Sequence, residues 1–313
     1  YAFALCRKAL EMHQQDLAKA EKWLRAEALK QGWEKAERVK SRSTGEGLVG
    51  IYTSPDRRTA AMVEVRCETD FVARNQHFVG LVTALAERLS NFSSGAARDA
   101  RDRGSCIHKR WIVDEGKLVE LAGSSITEAI SKLGENIRFV RGCIVHIQGE
   151  EEDQKTSTSS NQVRLLPYTH AVAGKVASAN PNVILGKYGT IIAIQKQQQQ
   201  SNQAVDAETE QSQVEDGLKS NSIEEVGSKL GQHIIGLTPL TVTPPPPPPP
   251  SSESASFEEA TEEEITGEEE PTALLKQKFI FNDEITVEQF LANSDAAVLD
   301  FVRFECGEEG ADS

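Results

Sequence analysis

The sequence predicts an α+β protein with a small helical module at its N-terminal end, and three observations carry that prediction. Residues 1–30 place apolar side chains at helical spacing, the period changes to two from Leu48 onward, and strand-like and helix-like stretches interleave to the end of the chain. The chain is 313 residues long, enough for two or three small domains. Its hydrophobic fraction is 38%, below the ordinary ~45–50% (a range that also counts Gly), which predicts that part of it does not fold. No apolar run approaches the roughly 18 residues that a membrane span needs. The chain opens at Tyr1 inside an amphipathic stretch, so the true N-terminus and any targeting peptide are expected upstream.

Residues 1–30 read as two short helices. Asp16 caps the second, which carries Leu17, Ala20, Leu24 and Ala28 on one face with Trp23 beside them. Two helices do not close a core, so a third is expected before them. Residues 31–47 read as a basic linker. Leu48–Tyr52 and Ala60–Cys67 read as a hairpin around Ser54-Pro55-Asp56, with Val63, Val65 and Cys67 on its one buried face and Met62, Glu64 and Arg66 opposite. Asp70–Leu89 reads as the longest helix, its stripe running through Phe71, Phe78, Leu81, Val82, Leu85 and Leu89. Residues 90–110 read as a polar connection. A capping box at Ser125-Ile126-Thr127-Glu128 opens a helix that Gly134 stops, and Ile137–Gln148 follows as a strand with Ile137, Phe139, Cys143, Val145 and Ile147 on one face.

Glu150–Ser160 reads as a disordered loop, and strands are expected near Val163–Leu166 and over Val183–Ile194. Ser222–Gln232 reads as a short helix inside a low-complexity stretch. Pro244–Pro250 predicts a polyproline II rod, and residues 251–270, with nine glutamates and no basic side chain, predict disorder. Folding resumes with a short strand at Phe279–Asn282, a helix capped at Thr286 and a final strand over Ala296–Glu305.

The net charge of −14 is local, because residues 195–270 hold 16 acidic and 3 basic side chains. An acidic insert on a nearly neutral body speaks against a general nucleic-acid binder. The six histidines, His13, His77, His108, His146, His170 and His233, show no ligand spacing. The five cysteines include no CxxC pair, and Cys67, Cys143 and Cys306 fall in strand-like apolar runs, as reduced core thiols do. No phosphate loop and no nucleophile elbow is present. These readings exclude a metal, a cofactor and covalent catalysis from the expectation.

One junction stands out: Cys67-Glu68-Thr69-Asp70-Phe71-Val72-Ala73-Arg74-Asn75. It is either a plain helix start, with Thr69 or Asp70 as cap and Phe71 opening the core stripe, or an acidic-aromatic tip whose Phe wedges into a partner. Lys132-Leu133-Gly134-Glu135-Asn136-Ile137 reads as a helix stop leading into a strand, and Tyr168-Thr169-His170 as a strand end.

Together these strings resemble the elongation factor Ts family. The 67–75 string is similar to the family's Cys-x-Thr-Asp-Phe-Val-Ala core, and Cys6-Arg7-Lys8-Ala9-Leu10 to its N-terminal ubiquitin-associated-like module. Gly45–Gly50, Lys132–Ile137, Tyr168–His170 and Asp300–Glu308 resemble further family strings in the same order. The resemblance implies a ubiquitin-associated-like module at 1–30, a linker at 31–47, a core subdomain at 48–149, and a second at 161–243 that closes with 275–309. The Gln-rich, polyproline and Glu-rich insert, residues 197–221 and 244–274, has no family counterpart in this reading. The resemblance also implies exchange of guanine nucleotide on elongation factor Tu, without covalent chemistry. The residues expected to meet Tu are Thr69, Asp70, Phe71, Val72, Arg74, Asn75 and His170, with the Thr69–Val72 tip disturbing its magnesium and GDP site. Lack of a long coiled-coil insertion points to the mitochondrial branch, hence to mitochondrial Tu as partner and the matrix as location, with no direct nucleic-acid or membrane partner. Two rivals stand beside this: a ubiquitin-type adaptor built on 1–30, and a scaffold that docks through Pro244–Pro250.

Overall fold

The computed structural model describes residues 3–92, 106–148, 163–171, 177–197, 222–244 and 272–308. Helix α1 covers Phe3–Met12 and helix α2 Leu17–Val39. Gln14 and Gln15 turn the chain between them with left-handed φ of 55° and 67°. Asp16 caps α2 as expected, its carboxylate accepting the Lys19 N–H at 3.1 Å. Ala9, Ala20 and Leu24 are buried between the helices with Trp23 against them, whereas Leu17 is exposed. Helix α2 runs nine residues into the segment expected to be a linker. Tertiary docking explains the extension, because Val39 and Ala36 join the main core and Lys35 Nζ donates to the Ser131 carbonyl at 2.9 Å.

Strands β1 (Glu46–Thr53) and β2 (Thr59–Cys67) form the expected hairpin. Ser54 and Asp56 fix its turn, with the Arg58 N–H donating to Asp56 Oδ1 at 3.1 Å and the Thr59 N–H to Ser54 Oγ at 2.9 Å. Strands β3 (Ile107–Ile112), β4 (Arg138–Ile147) and β6 (Val183–Gly186) complete a five-stranded antiparallel sheet, in the order β3-β4-β2-β1-β6. One face is covered by α4 (Gln76–Ser90), α5 (Glu115–Ala122) and α6 (Ser125–Leu133), with Val63, Val65, Cys67, Phe78, Leu85 and Leu89 among its buried residues. The other face packs on a second antiparallel sheet of β10 (Ala296–Glu305), β7 (Tyr188–Lys196) and β5 (Val163–His170), with Met62, Cys143, Leu165, Ile191 and Phe304 between the sheets. Helices α7 (Ile223–Leu237) and α8 (Val287–Asn293) cover the outer face of the second sheet. The layers therefore run helix, sheet, sheet, helix.

Several expectations are corrected by this layering. The β1–β2 hairpin is buried on both faces, because a second sheet covers the face that carries Met62, Glu64 and Arg66. Glu64 sits fully buried there between Arg66 Nε and Arg141 Nε, each at 2.6 Å, and also accepts the Gly307 N–H at 3.0 Å. The strand expected over Val183–Ile194 is two strands in different sheets, since the chain passes from one to the other at Lys187. Strand β4 does not keep one face. A bulge at Phe139–Arg141 turns Ile137 and Phe139 toward the helices and Cys143, Val145 and Ile147 toward the second sheet.

The polar connection at 90–110 already contains the start of β3, and α5 follows it, capped by Asp114. Ser124, not Ser125, precedes α6; its hydroxyl bonds the Glu128 carboxylate at 2.6 Å instead of a backbone N–H. Gly134 does stop α6 in the left-handed conformation, at φ 78°. Folding resumes earlier than residue 275, because Ala273 and Leu274 are buried and Ala273 bridges Thr241. In place of one strand at Phe279–Asn282 there is a tight hairpin of β8 (Lys278–Phe279) and β9 (Asn282–Thr286). Capping boxes stand at Ser222, opening α7, and at Thr286, opening α8. The expected loop at 150–160 and nearly all of the Gln-rich, polyproline and Glu-rich stretches lie outside the described residues.

Candidate partner-binding site

The site is built where β2 leaves its sheet. Beyond Cys67 the chain makes one short helix, α3 (Asp70–Ala73), before α4 begins. The expected continuous helix is therefore broken at Arg74-Asn75. Asn75 breaks it by taking an extended conformation and capping α4, its Oδ1 accepting the His77 N–H at 2.9 Å. Because of that break Phe71 does not belong to α4, and it leaves the apolar stripe. Its ring is 79% exposed, whereas Phe78, one turn into α4, is fully buried. Ala73 is buried and Val72 packs partly against the core, so these two anchor α3 while Phe71 points out.

Thr69 caps α3, its Oγ1 accepting the Val72 N–H at 3.4 Å. Exposed Asp70 and Arg74 form an ion pair, and Arg74 Nε donates to the Asp70 carbonyl at 3.1 Å. The Arg74 guanidinium lies 5.8 Å from the Phe71 ring centroid, within cation–π range. The tip thus presents an aromatic ring flanked by one charge of each sign.

Beneath it stands a support that the sequence reading missed. Glu135 Oε2 accepts the N–H groups of Glu68 and Thr69 at 3.1 and 3.0 Å, and Oε1 accepts the Thr69 hydroxyl at 2.6 Å. In return Glu68 Oε1 accepts the Asn136 N–H at 2.6 Å. The signal in the sequence was an acidic residue directly after the glycine that stops α6, read there only as a helix end.

His170 ends β5 and is exposed, its Nδ1 3.3 Å from the Tyr168 hydroxyl. It belongs to the same end of the two sheets as the tip, but the link is indirect. The Lys187 N–H donates to the His170 carbonyl at 3.0 Å, Lys187 Nζ meets Glu46 at 3.2 Å, and Glu46 is the strand partner of Cys67.

The arrangement offers an exposed surface for contact. Cys67 donates its S–H to the Thr69 carbonyl at 3.2 Å, and burial raises its pKa far above that of an ordinary thiol. Burial likewise pushes Cys143 and Cys306 up to about 12. These are protonated core thiols, not nucleophiles. Among the described residues no group of three or more His, Cys, Asp or Glu is placed to hold a metal.

Residues 1–34 match the family model for the N-terminal part of mitochondrial elongation factor Ts, and residues 257–308 match that for elongation factor TS. A Xenopus laevis protein described as mitochondrial elongation factor Ts is 33% identical over 313 aligned positions, covering 99% of this chain and 83% of that protein. This chain belongs to the elongation factor Ts family. Mitochondrial elongation factor Ts proteins of Mus musculus and Branchiostoma floridae are each 32% identical to it, over 99% and 98% of this chain and 80% and 86% of their own lengths. The elongation factor Ts match begins at residue 257, inside the Glu-rich stretch expected to lack a family counterpart.

Proposed function

We propose that this chain is the guanine-nucleotide exchange factor for elongation factor Tu in translation elongation, and that the Thr69–Val72 tip is the part that acts on Tu. The observation that carries the tip reading is Phe71: a large apolar ring, 79% exposed, on a four-residue helix whose base is tied to the body. A buried stripe residue has no free face for a partner; this one does. Asp70, Arg74 and Asn75 surround it as polar contacts, and His170 is a second contact at the same end of the sheets.

The mechanism follows from linkage. A factor that binds nucleotide-free Tu more tightly than GDP-bound Tu weakens GDP by the same ratio. A thousandfold loosening needs roughly 4 kcal/mol of differential binding. An aromatic wedge that repacks the magnesium and GDP region of Tu supplies such a difference without making or breaking a covalent bond. The deciding experiment follows GDP release from Tu with and without this chain, and with Phe71→Ala in its place.

The full-length protein is expected in the mitochondrial matrix with mitochondrial Tu as its partner, a reading that rests on the mitochondrial relatives. Imaging a tagged full-length protein tests it, and a cytosolic or plastid pattern counts against it. Among the described residues no helix is long and apolar enough to cross a membrane. Residues 1–30 serve in this reading as the ubiquitin-associated-like module of an exchange factor, not as a free-standing adaptor.

A further inference from the structure

Two chain segments clasp each other beneath the tip, each through a carboxylate. Glu135 holds the N–H groups of Glu68 and Thr69 and the Thr69 hydroxyl, and Glu68 holds the Asn136 N–H. A third segment is tied to the same point. The buried Asn136 donates from Nδ2 to the carbonyls of Lys40 and Arg42, just past the end of α2, at 3.3 and 2.7 Å. Arg42 Nη1 in turn meets Glu68 Oε1 at 3.4 Å.

The N–H groups of Glu68 and Thr69 fall between elements, since β2 ends at Cys67 and α3 starts at Asp70. Glu135 therefore supplies an acceptor that neither sheet nor helix provides. It also orients the cap. By accepting a hydrogen bond from the Thr69 hydroxyl it leaves that oxygen's lone pairs for the Val72 N–H.

We propose that Glu135 is a positioning residue for exchange: it holds residues 68 and 69 in one geometry, so that Phe71 is presented before the partner arrives. The proposal rests on the reading that Phe71 acts on Tu. The rest of the contact surface holds Tu whichever way the tip points, so a tip that samples several orientations in the complex acts only for the fraction of time it spends in the right one, and the rate at saturation falls by that fraction. The loss of charge-assisted hydrogen bonds at this point is expected to lower that fraction about tenfold.

The test compares full-length Glu135→Ala, Glu135→Gln and Phe71→Ala. GDP release from Tu loaded with a fluorescent GDP analogue is followed over a range of exchange-factor concentration, and backbone hydrogen exchange is followed in the free protein. Glu135→Ala is expected to lower the rate at saturation about tenfold while the half-saturating concentration moves less than about threefold, because the rest of the contact surface is intact. Its amides at 68, 69 and 72 are expected to exchange faster, with those of β1 and β4 unchanged. Glu135→Gln keeps an oxygen for the two N–H groups and is expected to retain most of the rate.

A normal rate with Glu135→Ala beside an impaired Phe71→Ala overturns the proposal alone. A rate loss accompanied by faster exchange throughout the sheet also overturns it, since the residue is then merely structural. Normal release by Phe71→Ala overturns the tip reading and takes the proposal with it. Should Glu135→Ala fail to fold, Thr69→Val removes only the hydroxyl. It is then expected to lower the saturated rate about threefold, and an unchanged rate sinks the proposal.

Discussion

Phe71 and Glu64 show how a residue's neighbours, not its type, set its role. Phe71 is large and apolar yet exposed, so Phe71→Ala should leave the unfolding free energy within about 0.5 kcal/mol of the parent, as surface changes do. Its exchange rate should fall about 30- to 150-fold, the equivalent of roughly 2–3 kcal/mol for burying a Phe ring in a partner. Thermal unfolding and GDP release on one sample separate the two effects, and a collapsed melting temperature would return the ring to the core. Glu64 is the reverse case, a charge buried between two sheets and held by Arg66 and Arg141. Glu64→Ala leaves two guanidinium groups without that counterion and should cost about 3 kcal/mol or more. Glu64→Gln, which keeps acceptor capacity, should cost less. Urea unfolding measures both, and equal losses would show that charge is not what matters there.

At the scale of elements, two helices with similar glycines respond in opposite ways to the same change. A Cβ on Gly231 in α7 would lie 2.5 Å from Tyr168 Cβ, because the helix sits directly on β5. Overpacking outweighs the gain in helix propensity, so Gly231→Ala should destabilise by about 1–2 kcal/mol. Gly80 in α4 has nothing within 4 Å of its Cβ position, so Gly80→Ala should stabilise by up to about 1 kcal/mol. Chemical denaturation of the two variants checks the signs; a stabilising Gly231→Ala would mean that α7 can move off the sheet. Element types were legible at several locally marked positions: the Asp16 cap, the Gly134 stop and the Thr286 capping box all stand where expected. The break at Asn75 and the helix at Glu115–Ala122 were missed, although Asn75 and Asp114 are ordinary caps. In the first case a continuous apolar stripe overrode the cap signal. In the second, a stretch of eight residues was too short to show its period.

For the whole molecule, the described parts close on themselves without the low-complexity stretches. Thr241 bridges Ala273, and the Leu240 and Thr241 N–H groups both reach the Thr272 carbonyl, so the flanks of the polyproline and Glu-rich insert are pinned together. Gln197 is likewise tied down, its N–H donating to the Asp295 carbonyl at 2.7 Å. Replacing 198–221 and 245–270 with short Gly-Ser linkers should therefore leave GDP release near normal, since loop length enters stability only logarithmically. Loss of most activity with an intact fold would assign the insert a part in exchange. Such a deletion also tests the rival scaffold reading, because it removes nearly all of Pro244–Pro250.

The amino-acid sequence by itself determined the α+β class, the order of most elements and the strings that resemble the elongation factor Ts family, because period, caps and turns are local properties of the chain. It also singled out residues 67–75, but left open whether Phe71 was packed in the core or exposed. Tertiary structure decided that question by restarting the helix at Asn75. It likewise decided that Glu64 and Arg66 are buried, that Val183–Lys196 divides between two sheets, and that Glu135 lies under the tip it supports. Each of these depends on which distant segment covers a given face. A period of two describes a strand equally well whether water or a second sheet lies on its polar side, and only the assembled fold supplies that neighbour.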